Sequence, residues 1–125
     1  MWFYECTVFT GGIMQIGWAT ERCSYKSDEG VGIGDDEHSF AYDGCRGLLW
    51  HNQRHAPHQH RRWKPGDVLG LYLDLARGAI NFSLNGDMLP GWLKLPGSKD
   101  ACYFPAASLM TFQHVQFNFG NARYR

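Results

Sequence analysis

Apolar and polar residues alternate along most of this chain. Trp2, Tyr4, Cys6 and Val8 fall on one side of an extended segment with Glu5 and Thr7 on the other, and beyond Gly11-Gly12 the residues Met14, Ile16 and Trp18 alternate with Gln15 and Gly17. A repeat of two marks a strand with one buried face. The two runs, parted by a glycine pair, predict a hairpin. Further on, Leu69, Leu71, Leu73 and Leu75 form an inward row, Ala76-Arg77-Gly78 turns the chain, and Ile80, Phe82 and Leu84 resume the alternation. Asn85-Gly86 follows, and both residues tolerate the positive φ of a type I′ turn, so a third antiparallel strand is predicted after it. Val115, Phe117 and Phe119 repeat the pattern near the end. No window keeps apolar residues at i, i+3, i+4 and i+7 over a normal helix length. Short strands separated by turn signals indicate an antiparallel sandwich or barrel.

Composition agrees. Aromatics make up 15% of the 125 residues and there are 15 glycines, a balance suited to strands and turns. That length suits one hydrophobic core, so residues 1–125 are expected to form a single domain, one cut from a larger protein, soluble and monomeric. Formal net charge is zero, which gives no long-range attraction for nucleic acid or an anionic membrane. The opening Met-Trp-Phe-Tyr-Glu does not resemble a signal peptide. Cys6, Cys23, Cys45 and Cys102 show no CxxC pair, and reduced thiols in a cytoplasmic setting are expected.

Three stretches invite a chemical reading. Residues Gly30 to Gly44, GVGIGDDEHSFAYDG, offer Asp35, Asp36, Glu37 and Asp43 as hard oxygen donors, but EF-hand spacing is absent, and a solvated, hydrogen-bonded turn is the favoured reading. The glycines there precede a strand rather than a helix, which argues against a phosphate cradle and for close backbone approach. His38 and Ser39 lack the Gly-x-Ser-x-Gly elbow of a hydrolase. His51, His55, His58 and His60 could hold zinc, although a polar, proline-bearing segment usually forms a solvated loop. Trp18 and Trp50 are expected in the core, while Trp63 and Trp92 are open to a role in recognition. Neither a cofactor nor a metal is expected.

Six segments in order, MQIGWAT, GVGIGDDEHSFAYDG, WKPGDVLGLYLDL, INFSLNG, FPAASL and VQFNFG, resemble a SPRY domain, the core of the B30.2 family, from about Trp2 to Tyr124. The wording is most similar to SPRY domains of proteins that also carry a RING finger. The resemblance implies an all-β, bent sandwich of two antiparallel sheets in the concanavalin-like jelly-roll class, with Phe40 and Tyr42 packed inward and Asp43-Gly44 making the next turn. It also implies a binding module for a protein or peptide partner, without catalysis in this chain, serving substrate choice by a RING-type ubiquitin ligase. By position, the recognition loops would include Arg22 to Glu29, the edge of Gly30 to Gly34, and Met110 to His114. The residues expected to contact the partner are Arg22, Ser24, Tyr25, Glu29, Met110, Thr111, Phe112 and Gln113. SPRY proteins with a SOCS box use a tyrosine and a Val-Trp-Gly run where this chain has roughly Glu29 and Met110-Thr111-Phe112, so their Asn-rich ligand is not expected to bind. A glycan-binding sandwich using Trp63 and Trp92, or a zinc enzyme built on His51 to His60, are the alternatives.

Overall fold

Eleven strands build two antiparallel sheets in this computed structural model, which describes residues 1–24, 26, 29–55, 60–95, 101–120 and 123–124. The first sheet holds β1 (Trp2–Val8), β6 (Val68–Asp74), β7 (Ala79–Leu84), β8 (Asp87–Met88), β9 (Leu93–Lys94) and β11 (Val115–Asn118). Its order is β11-β1-β6-β7-β8, with β9 also on β7. The second follows β10-β2-β3-β4-β5, from β2 (Met14–Thr20), β3 (Ser39–Asp43), β4 (Leu48–His51), β5 (Arg54–His55) and β10 (Tyr103–Leu109).

The expected hairpin between the first two runs does not form. β1 pairs with β6 and β11, whereas β2 pairs with β3 and β10, so the chain crosses between sheets at Phe9–Ile13. Alternation says which residues face inward but not which strand lies alongside. With the runs in opposite sheets, Tyr4, Cys6 and Val8 share one core with Met14, Ile16 and Trp18. Burying both rows in that way removes their apolar area from water.

The central meander agrees with its pattern. Leu69, Leu71, Leu73, Ile80, Phe82 and Leu84 are buried, and Asn85 (φ 52°) and Gly86 (φ 86°) form the tight turn between β7 and β8. Rows end earlier than the alternation predicts, because Trp2, Leu75 and Phe119 stand at or beyond strand ends and are exposed.

Residues 29–36, ahead of β3, form a covering segment over the outer face of the second sheet. Ile33 is fully buried there against Ala19 and Ala41, apart from the main core. Gly34 has φ 93°, and a Cβ on it would stand 2.7 Å from the Trp50 Cβ, so the close approach requires glycine. Phe40 and Tyr42 point into the core, as the resemblance implied.

Asp43 is a correction to the solvated-turn reading, since it is fully buried at the end of β3. Its carboxylate accepts hydrogen bonds from Arg46 Nε (2.6 Å), Arg46 N–H (3.1 Å) and Trp50 Nε1 (3.3 Å). These charge-assisted bonds replace the water that burial removes. Trp50, expected in the core, is half-buried beside that pair, with the Arg46 guanidinium 5.4 Å from its ring.

Candidate recognition groove

The segments expected to form one rim occupy two places. Thr20 pairs with Tyr103 at one end of the β2–β10 ladder, and Met14 with Leu109 at the other. Arg22 and Ser24 follow Thr20 and stay at that end, where Ser24 N–H bonds the Asp36 carboxylate at 2.8 Å. Met110, Thr111, Phe112 and Gln113 follow Leu109 and lie at the far end. Gly30 and Met110 line one cleft at that far end, while the Glu29 carboxylate faces Lys26 Nζ at 3.9 Å. Tyr25 lies outside the described residues.

At the far end a groove of about 330 Å³ forms between the covering segment and β10. Val31 and Gly32 line one side and Ser108, Leu109 and Met110 the other, with Ile13 and Gln15 at the end. Ser108 Oγ accepts the Ile33 N–H at 2.8 Å, and the Asp35 carboxylate accepts the Gly32 N–H at 2.8 Å. The first bond ties the covering segment to β10, and the second closes a turn within the covering segment. Ile13, Gln15, Asp35 and Ser108 were not foreseen as groove residues. Their signal in the sequence is faint, a hydroxyl after the apolar FPAA run and an acid behind alternating glycines.

The turn after β10 projects apolar side chains. Met110 is 60% exposed and Phe112 93% exposed, with Phe112 in the left-handed region at φ 69°. Gln113, one of the expected contacts, also holds the turn, because its side-chain oxygen accepts the Gly12 N–H at 2.8 Å and its own N–H bonds the Met110 carbonyl at 3.2 Å. It fixes the turn that presents Phe112.

Asp36 anchors the covering segment. Its carboxylate accepts Ser24 N–H, His38 N–H (3.0 Å) and Ser39 Oγ (2.9 Å). Partial burial alone would raise its pKa, but these donors outweigh burial and hold it below the ordinary aspartate value.

The residues of the other readings are placed differently. Trp63 is buried, edge-on to Tyr42 at 5.4 Å, and cannot stack on a sugar, while Trp92 is exposed. His51 stacks on Phe40 and His60 is buried, whereas the His55 side chain and His58 lie outside the described residues. Among the described residues no group of three or more His, Cys, Asp or Glu is arranged to hold a metal ion, and no disulfide joins the cysteines.

With two sheets, a covering segment and an apolar turn in view, comparison with known proteins decides the family. The model of the SPRY domain matches residues 1–122. The chain belongs to the SPRY family. A relative from Arabidopsis thaliana, E3 ubiquitin-protein ligase RKP, is 40% identical over 124 residues, covering 95% of this chain and 9% of that protein. A SPRY domain is a protein-interaction module, and this one carries the rigid double sheet and loop-borne groove that such a role requires.

Proposed function

We propose that this SPRY domain docks a partner protein in the groove between Gly30–Gly32 and Ser108–Met110, with Phe112 and Met110 as apolar anchors, and that in a larger polypeptide it selects the target of a ubiquitin ligase. The observation that carries the reading is Phe112, an aromatic side chain held almost wholly in water in an unfavourable backbone conformation. Native structure keeps such a cost where function uses it. Aromatic and methionine side chains are enriched at protein interfaces, and a few such buried anchors carry much of the binding energy. The ligase setting is supported by the relative's printed name. Reduced cysteines suit a cytoplasmic, monomeric module in that role.

In-cell crosslinking followed by mass spectrometry, with wild type beside a Met110→Ala, Phe112→Ala double variant, tests the reading. A specific protein recovered by wild type and lost from the variant, with matched thermal unfolding, supports it. Equal recovery overturns it.

A further inference from the structure

A second cleft, of about 420 Å³, opens at the Thr20–Tyr103 end of the β2–β10 ladder. The ladder continues to Leu109, so the cleft lies about 20 Å from the groove described above, at ~3.4 Å per residue. Its floor is aromatic. The His51 ring lies on Phe40 with centroids 4.2 Å apart and planes within 2°, and half-buried Tyr103 stands beside them. His51 Nδ1 is 3.0 Å from the Ser39 carbonyl oxygen. A carbonyl can only accept, so in the neutral ring Nδ1 carries the proton and Nε2 keeps its lone pair.

Two carboxylates stand at the mouth. Glu21 accepts the Cys102 N–H at 3.3 Å, and its charge, after burial, adds to the raised pKa of the Tyr103 phenol. Glu37 faces His38 Nε2 at 3.4 Å and is otherwise in water. Arg22 also lines the cleft, so among the described residues two carboxylates face one guanidinium.

We propose that this cleft binds the side-chain ammonium of a lysine on a partner protein. Carboxylates, an imidazole lone pair and an aromatic face around one opening suit a compact cation with three donors, and the aliphatic stem can lie against Tyr103.

Titrating the 125-residue chain with Nα-acetyl-lysine methylamide, followed by two-dimensional NMR, tests the assignment. The amides of Glu21, His51 and Tyr103 are expected to shift saturably, and the norleucine analogue, which has the stem without the charge, is expected to leave them in place. Glu21→Gln and Glu37→Gln should each weaken binding about two- to fivefold, as for exposed ion pairs. Phe112→Ala should leave it unchanged, which separates this site from the groove. Because the Glu37 side chain is 72% exposed, its variant keeps the test valid even if Glu21→Gln disturbs the fold. Equal shifts from the norleucine analogue, shifts from acetate that vanish in Arg22→Ala, or no shift from the lysine probe would each overturn the proposal.

Discussion

Phe112 adopts φ 69°, a region where a side chain costs about 1 kcal/mol or more relative to glycine. Being 93% exposed, the ring recovers little of that by packing. Phe112→Gly is therefore expected to raise stability by up to about 1 kcal/mol in urea unfolding, glycine's greater unfolded-chain entropy offsetting part of the strain relieved, while partner capture is lost. A drop in stability would show that the ring packs within the domain. Asp36 makes the opposite kind of prediction. Its folded pKa lies below the unfolded value near ~3.9, so its contribution is complete above that pH and fades as pH falls through the folded pKa. Asp36→Asn should thus be less stable than wild type at pH 7, with the gap narrowing below about pH 4 in denaturant titrations. At this scale the sequence was partly legible. The acids of the covering segment were recognisable as turn formers, but Asp43 was misplaced because its burial depends on Arg46 and Trp50 folding back onto it.

Among the elements, the β7–β8 turn was the most legible, since Asn85-Gly86 needs no distant partner to form. Asn85 does more than turn the chain, for its Oδ1 accepts the Val68 N–H at 2.9 Å and its Nδ2 donates to Asp67 at 3.0 Å. Asn85→Ala should cost about 1–3 kcal/mol, through a strained positive φ and buried groups left without partners, and thermal unfolding would register it. Phe82, at the centre of β7 and 1% exposed, should cost about 3–5 kcal/mol when truncated to alanine. Pairing between distant runs was less legible. Alternation assigned Trp2–Val8 and Met14–Trp18 their inward faces, yet the same pattern fits neighbours in one sheet or opposed strands in two. The groove suffers from the same ambiguity, because it exists only where a segment before β3 meets a strand some seventy residues later, as in the Ile33–Ser108 bond.

Across the whole molecule, Cys6 reports on global opening. Burial pushes its thiol up to about 12, so little thiolate forms while the sandwich is closed. Iodoacetamide at pH 8 should modify exposed Cys102 first and reach Cys6 at a rate that follows unfolding; early labelling of Cys6 would mean that the core opens locally. The sign for stability follows: since the folded pKa exceeds the unfolded value of about 8.5, the contribution of Cys6 is intact below that pH and declines above it. The bond from Gly12 to Gln113 bears on re-engineering the domain. It couples the crossover between the sheets to the projecting turn, so a library that randomises positions 110 to 112 for new targets can hold its scaffold only while both ends of that clasp are left untouched. Diversity introduced at Gln113 would scramble the posture of the whole turn before any new side chain met a target.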